Sequence, residues 1–546
     1  MRSLWQYAIV LVLTFLCPAA ADGVYSCGAK IAYLHLRELR RTSNGRHADD
    51  LPSLLDACRR LHISHHDEAC PRGEPTMNLS FLDLAAVAFY FGLMTVVGVL
   101  TRRTKTFSEF AVGKHSVPTI MVFASLATTI VGPGFSIGFT GKSWGVGYVF
   151  YFLTLSYAVQ VVLCGLYFAP RLSLERDCSS LGDVMRKRYG RFAQLLTGIV
   201  SVGLCVGFTA IMGKIGGAML HAVSGWPMEL CLIAVTGATA LLTFTGGLRA
   251  TVATEAIQFT FKCLIVPLML FMALARSPDT LAALSTKASE MTEQAFSKMS
   301  GVQIFGIVLS FALGEVLLPP VANRALSAKS GSASRAGFLL AGGFVVAWLA
   351  VVATLGILAH GIVPAGTAGD DVFVTLGRSV LPAGVFGLLL AAMIAIIMSS
   401  QESVLNSSAV AFVRDIVQVY RPVSERATLR LAKVSTLCIA ALAIFIAHYS
   451  PSIIDGLIML YSIWAPTILV PLLVGLYVRQ PRPLAGCLSI LGGGGASLTW
   501  QLMKEPHGVP AIVVGLLVCS VCYAAGHVFG RGRAMTSLQP SQGLTP

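Results

Sequence analysis

A polar run interrupts one of the most apolar stretches of the chain, between Met393 and Ser408. In a helix its oxygen-bearing side chains fall on or beside one face. That face and its edge hold Ile396, Ser399, Ser400, Ser403, Glu402 and Asn406. Such oxygens can bind a cation or a polar solute, although buried serines often only donate to the carbonyl four residues earlier. A carboxylate in an apolar interior costs several kcal/mol without a partner, which favours a binding role.

The composition places this helix in a membrane. Of 546 residues, 55% are hydrophobic and 12% are charged, and the mean hydropathy is +0.74. These values exclude an ordinary soluble enzyme. The net charge of +14 does not indicate nucleic-acid binding, because lysines and arginines lie in short connections between apolar runs. The thirteen cysteines are scattered, mostly one per apolar span, and are interpreted as packing residues.

The first 78 residues differ from the rest of the chain. Residues 1–21 combine Arg2, an apolar run and three alanines, a pattern typical of a secretory signal peptide. Residues 22–78 would then form an exported polar segment. For its cysteines and histidines between Cys58 and Cys70, a metal site, a disulfide and solvated side chains all stay open.

Apolar runs of about 20 residues recur from Phe81 onward, and each is long enough to cross a bilayer. We predict about thirteen spans, at 80–100, 117–141, 146–170, 194–221, 226–245, 251–275, 303–323, 336–360, 381–411, 427–448, 453–478, 482–503 and 509–529. The predicted inner connections hold about 23 lysines and arginines and the outer ones about six, which predicts an outside amino terminus and a cytoplasmic carboxyl terminus. The plasma membrane or a bacterial inner membrane is the expected location.

Two predicted spans contain helix-breaking residues. The second holds two glycines and a proline within Thr128–Phe135, and the seventh holds Leu317–Pro320 after Glu315. The spans are five apart, an odd number, so the second set of helices starts from the opposite side of the membrane, as in an inverted repeat. Broken helices at corresponding positions of two repeats indicate a transporter's central site. A kink without function is the alternative, since membrane helices tolerate proline and glycine.

Other ionisable residues also fall inside predicted spans. We expect Lys214 and Glu315 or Glu402 to be paired or to line water. Lys262 is expected to extend its ammonium along the helix toward the membrane surface.

Two motifs resemble the sodium:solute symporter family, which includes sugar, proline, pantothenate and choline carriers. Residues 246–258, GGLRATVATEAIQ, are similar to the family's GG-L-x-A-x-x-x-T-D-x-x-Q signature, with Glu255 in place of the aspartate. Residues 391–415 are similar to its AAxxAAxMSSxDSxLNSxSxxFxxDI pattern, with Glu402 where many members have aspartate. The resemblance covers roughly residues 80–530.

The resemblance implies an all-α integral membrane fold of the LeuT type, an inverted repeat of five plus five helices. One extra helix would precede the repeats and two would follow. The signal-like segment 1–21 and the exported segment 22–78 lie outside the resemblance. The segments that follow them are an extra helix 80–100, repeats 117–275 and 303–478, two last helices 482–529 and a short cytoplasmic tail 530–546.

The resemblance also implies a sodium site. Its ligands would be the backbone oxygens of Thr128, Val131 and Ile396 and the hydroxyls of Ser399 and Ser400. A hard cation favours several neutral oxygens that replace its water.

Solute contacts are expected at the two breaks. They are Gly132, Gly134, Phe135, Ser136, Glu315 and Leu318, with Glu402 as either a solute contact or a charge behind the ligands. Segments 130–135 and 313–324 resemble choline- and proline-type carriers most. Ile130 and Leu318 stand where choline carriers have tryptophans, and this loss disfavours a quaternary ammonium such as choline.

We therefore predict a symporter that imports a small polar organic solute by alternating access, with Na+ as the coupling ion. Proton coupling through Glu402 or Glu315 and a transporter-like receptor are the alternatives. The sequence holds no HExxH or P-loop motif, so an enzyme is not expected. The expected partners are the solute and the lipid bilayer, without nucleic acid.

Overall fold

The computed structural model describes residues 79–100, 104–277, 281–448, 453–478 and 481–530. The predicted signal segment, the exported segment with its cysteines and histidines, and nearly all of the tail lie outside these ranges. Within them the chain is helical, and sheet-like pairing is limited to one bridge between Val117 and Ala328.

The helices are numbered in chain order. Those of the first half are α1 Phe81–Leu100, α2 Phe107–Val112, α3 Thr119–Ile130, α4 Gly134–Val146, α5 Val149–Leu172, α6 Leu181–Tyr189, α7 Arg191–Ser224, α8 Met228–Leu248 and α9 Ala250–Arg276. Those of the second half are α10 Leu281–Lys298, α11 Gly301–Leu313, α12 Pro319–Ser327, α13 Gly331–Leu358, α14 Val372–Val380, α15 Val385–Ala411, α16 Glu425–Ala447, α17 Ile453–Tyr477, α18 Pro483–Leu502 and α19 Ala511–Phe529.

The predicted count of about thirteen spans is not confirmed. In the described residues nine helices are long and apolar enough to cross a membrane, or up to eleven if each of two bent pairs is one span. Two helices at predicted spans are not among these. The apolar part of α1, Phe81–Met94, is short, and α18 carries four consecutive glycines at 492–495, which lower its hydropathy.

Helix α15, which carries the polar run, lies at the centre of the fold. In the most apolar window of the span to which it belongs, 94% of the residues are buried. Its amino end is fixed by Asp83 of α1, whose Oδ1 accepts hydrogen bonds from the N–H groups of Gly384 at 2.8 Å and Gly387 at 2.7 Å. Carboxylate capping of free N–H groups stabilises a helix start. The polar run is thus held in a buried helix with an anchored end.

Helix α9 is positioned by the glycine pair of the first motif. Gly247 has φ +59° and ψ −164°, a conformation that only glycine adopts readily, and it kinks the chain near the end of α8, just before α9 begins. A Cβ at this position would lie 2.6 Å from the ring of Phe110, so the glycine also permits close packing. This turn sets the rotation of α9 and directs Glu255 and Lys262 into the interior, where both are fully buried.

Helix α10 was not predicted from the sequence. It occupies the connection before the seventh predicted span, and the chain bends by 107° between it and α11. Ser300 begins α11 with a capping box, in which its hydroxyl accepts from the N–H of Gln303. Because α10 is polar, a search for apolar runs does not detect it.

Candidate cation and solute site

The junction of α3 and α4 is the first predicted break, and the chain bends there by 64°. Pro133 has no N–H, so the carbonyl of Thr129 lacks its partner four residues on. The N–H of Gly132 donates to Ile130 at 2.8 Å, so the carbonyl of Thr128 also leaves the helical pattern. The sequence of the break therefore frees backbone oxygens in an apolar interior.

Helix α15 passes close to this break. Ser400 Oγ donates to the carbonyl of Thr129 at 3.5 Å, and a Cβ on Gly132 would lie only 2.9 Å from the same Oγ. Glycine at 132 is thus required for this approach. Ser399 Oγ donates to the carbonyl of Ile396 at 2.9 Å, the local helix bond expected of a buried serine without another partner.

Lys262 of α9 reaches the same break. Its side chain is fully buried, and Nζ donates to the carbonyl oxygens of Thr128 at 3.1 Å and Val131 at 3.3 Å. The sequence prediction that this ammonium extends to the membrane surface is wrong. Lys262 lies near the middle of α9, about 20 Å from either end at 1.5 Å per residue, which is beyond the reach of four methylenes. The free carbonyls of the break solvate its charge instead.

A buried ion pair lies about two turns before Lys262 on α9. Arg324 of α12 and Glu255 of α9 are both fully buried and approach to 2.8 Å between Nη2 and Oε1. The guanidinium also donates to Ser125 Oγ at 3.0 Å, and Glu255 accepts from the Thr129 hydroxyl at 3.1 Å. Ser403 of α15 contacts both charged groups. The pair therefore links α3, α9, α12 and α15.

Sequence reasoning missed this pair. The predicted span 303–323 places Arg324 in the inner connection that follows it, whereas Arg324 is buried between helices. Glu255 did carry a signal, because a carboxylate in the middle of a predicted span requires a partner. A buried carboxylate needs a buried positive charge, and this requirement identifies Arg324 as the partner. The excess of basic residues in the predicted inner connections does not.

Glu402 is buried on α15 but does not line the solute cavity described below. Its Oε2 accepts from the Thr254 hydroxyl of α9 at 3.0 Å. Its Oε1 has no hydrogen-bond partner among the described residues. The residue therefore lies in the packing between α15 and α9.

The second break lies between α11 and α12. Leu317 adopts φ +49°, in the left-handed region that residues other than glycine rarely adopt, and Pro319 begins α12. The Trp464 indole of α17 donates to the carbonyl of Val316 at 2.9 Å and holds the turn. The predicted interruption is thus present, in a chain segment fixed by a neighbouring helix.

A small cavity joins the two breaks. Five of the predicted solute contacts line it, namely Gly132, Gly134, Phe135, Glu315 and Leu318. Its wall also includes Ser400, Phe208 and Tyr461. The volume is about 40 Å³, room for about three waters at 10–15 Å³ each, so an organic solute requires the surrounding helices to separate.

Glu315 is the acidic group of this cavity. Its two carboxylate oxygens accept hydrogen bonds from the hydroxyls of Tyr157 and Tyr461, and all three side chains are buried. Phe135 stacks on Tyr157 with ring centroids 4.7 Å apart. The cavity thus combines one hydrogen-bonded carboxyl group with aromatic surfaces. The tyrosines come from α5 and α17, and sequence reasoning did not select them.

Ser136 does not line the cavity. The indole of Trp348 on α13 donates to its Oγ and to the carbonyl of Phe135, both at 3.2 Å. These bonds fix the start of α4 next to the cavity. Among the described residues, no cluster of three or more His, Cys, Asp or Glu side chains could hold a metal ion.

Comparisons with known proteins agree with the motifs. The model of the sodium:solute symporter family matches residues 110–485, more than half of the chain. The sodium/pantothenate symporter of Escherichia coli is 29% identical over 470 residues, which cover 82% of this chain and 95% of that protein. The sodium/glucose cotransporter of Vibrio parahaemolyticus is 25% identical over 382 residues, 63% of this chain and 70% of that one.

Solved structures share the fold. A substrate-bound, outward-open Na+-coupled sialic acid symporter has a TM-score of 0.72 at 17% identity, over 82% of this chain and 97% of that chain. A nucleobase-cation-symport-1 family transporter has a TM-score of 0.54 at 11% identity. The family consists of transporters rather than enzymes, and its coupling ion is sodium. The chain, an integral membrane protein, belongs to the sodium:solute symporter family.

Proposed function

We propose that this protein imports a small polar organic solute together with sodium by alternating access. The family match over residues 110–485 carries this function. Sodium moving inward supplies on the order of 2.3 kcal/mol per charge per 100 mV, in addition to its concentration term. The relatives are sodium symporters by name, which does not favour the proton-coupled alternative. The amino terminus would lie outside and the carboxyl terminus in the cytoplasm, in a plasma membrane or bacterial inner membrane.

Sodium would bind between α3 and α15. The proposed ligands are the carbonyl oxygens of Thr128, Val131 and Ile396 and the hydroxyls of Ser399 and Ser400. The carbonyls of the break that lie outside the helical hydrogen-bond pattern and the close approach of Ser400 to Gly132 support this site. A monovalent hard cation suits a set of neutral oxygens.

The solute would bind in the adjoining cavity. Its position between two broken helices matches that of the central sites of repeat transporters. Phe135 offers a ring, and Glu315 a carboxyl group held by two tyrosines. Gly132, Gly134 and Leu318 leave the space between them. Ser136 and Glu402, which lie outside the lining, would act by supporting α4 and α15.

A screen of labelled amino acids, sugars, monocarboxylates and ammonium compounds tests the function. Uptake is measured with external sodium and again with lithium or potassium in its place at fixed pH. We expect one solute class to accumulate only with sodium. Undiminished uptake without sodium would reject sodium coupling.

The Ser399→Ala plus Ser400→Ala variant tests the ion site. Loss of two hydroxyl ligands should raise the sodium concentration for half-maximal uptake at unchanged surface expression. Ser408→Ala is the matched control, because its hydroxyl bonds only to the carbonyl of Leu405 on the same helix. An unchanged sodium dependence in the double variant would remove both serines from the site.

A further inference from the structure

The carbonyl oxygens proposed for sodium already solvate a cation that belongs to the protein. Lys262 Nζ lies 3.1 Å from the carbonyl oxygen of Thr128 and 3.3 Å from that of Val131. An ammonium donates three hydrogen bonds, and these two carbonyls take two of them. A sodium ion bound to the same oxygens would lie against this positive charge. The ammonium and sodium are therefore alternatives at the break.

No carboxylate of the described residues forms an ion pair with Lys262. No carboxylate lies within 4.0 Å of Nζ in the part of the chain that the structure describes. The nearest acidic residue along α9 is Glu255, two turns earlier, and it is bound to Arg324. A buried charge without a counterion is stable only where polar groups solvate it. The oxygens of the break perform that role, as they would for sodium.

A second acceptor for the ammonium lies one turn away. Gln258 precedes Lys262 by four residues on α9, so the two side chains are neighbours on one helix face. Its Nε2 donates to the Tyr90 hydroxyl at 3.2 Å, while its buried Oε1 has no hydrogen-bond partner among the described residues. The lysine can exchange the carbonyls of the break for this oxygen by rotating its side chain.

We propose that Lys262 is a tethered competitor of sodium, which occupies the carbonyls of Thr128 and Val131 until sodium displaces it toward Gln258. This role rests on the proposed function and adds a residue that sets the sodium affinity. Apparent affinity falls in proportion to the fraction of protein whose site is open. If the ammonium fills the site about 90–99% of the time, removing it should lower the half-saturating sodium concentration about 10- to 100-fold.

The test is sodium-dependent uptake, together with binding of radioactive sodium to purified protein, for the wild type and Lys262→Met. Methionine keeps an unbranched apolar side chain and removes the charge. Lys433→Met is the matched control, because Lys433 lies in another membrane-spanning helix, α16, and packs over the ring of Phe244. Where Lys262→Met does not reach the membrane, Lys262→Gln replaces it.

A lower half-saturating sodium concentration in Lys262→Met but not in Lys433→Met supports the competitor role. Sodium-dependent uptake with the same half-saturation in all three proteins overturns it and leaves the proposed function intact. Sodium-independent uptake by the wild type, with sodium dependence gained in Lys262→Met, refutes sodium coupling of the wild type but supports the place of Lys262 in the ion site. Absence of sodium binding and sodium dependence in every variant overturns both.

Discussion

Neutralising one member of the Arg324–Glu255 pair is expected to damage the protein more than neutralising both. In Arg324→Met the buried Glu255 carboxylate keeps only hydroxyl donors, including Thr129 at 3.1 Å. Breaking a fully buried pair in this way costs about 3–5 kcal/mol. In Arg324→Met plus Glu255→Gln no buried charge is left, and only hydrogen bonds of about 1 kcal/mol each are altered.

The two single variants should therefore each lose about 3–5 kcal/mol, and the double variant should lose less than either of them. Because a membrane protein of this size unfolds irreversibly, the comparison uses the midpoint of heat inactivation in detergent at one heating rate. The partly exposed pair Lys187–Glu175, at 2.8 Å, is the matched control. Lys187→Met should cost no more than about 1 kcal/mol.

An additive double variant would refute the reasoning. Additivity would mean that the two charges do not stabilise each other across the 2.8 Å contact. A shift for Lys187→Met as large as for Arg324→Met would likewise show that burial does not set the cost.

Two further predictions concern the contacts around the cavity. Gly132→Ala should reduce heat stability, because the added Cβ would lie 2.9 Å from Ser400 Oγ. Adding Ser400→Ala should restore most of the lost heat stability. If it restores none, the close approach of residues 132 and 400 is contradicted. Tyr157→Phe plus Tyr461→Phe should lower uptake at least as much as either single change, because Glu315 then has no hydroxyl donor from these two residues. Each lost hydrogen bond costs about 1–3 kcal/mol. Wild-type uptake by the double variant would show that these bonds do not matter for transport.

The sequence predicted the features that depend on local chemistry. The residues of both breaks, with Pro133 and Pro319, interrupt helices where expected because proline removes a backbone donor. The polar run of α15 is buried, as its position in an apolar helix indicated. These outcomes follow from backbone hydrogen bonding and burial, which the order of residues alone determines.

Features that depend on contacts between distant helices were not predictable in the same way. Lys262 and Arg324 were assigned to the membrane surface and to a connection, because a sequence shows a charge but not its partner. Their acceptors, the carbonyls of Thr128 and Val131 and the carboxylate of Glu255, lie 69 to 134 residues away along the chain. Folding brings each charge and its acceptors together, and these contacts stabilise the charge in the interior.

The proposed inverted repeat and the assignment of individual sodium ligands stay predictions. The shared fold with a sialic acid symporter supports the architecture but not the role of any side chain. The ligand set depends on the position of α15 relative to α3, a distance of a few ångströms that motif matching does not fix.

Sodium-driven accumulation by the purified protein tests the central claim most directly. The protein is reconstituted in liposomes, the membrane potential is clamped at zero, and an inward sodium gradient is imposed in the presence of a solute identified by the uptake screen. We predict that the internal solute concentration rises transiently above the external one and that the rise disappears when sodium is equal on both sides. Equilibration to the external concentration alone, with or without the gradient, would contradict sodium-coupled symport.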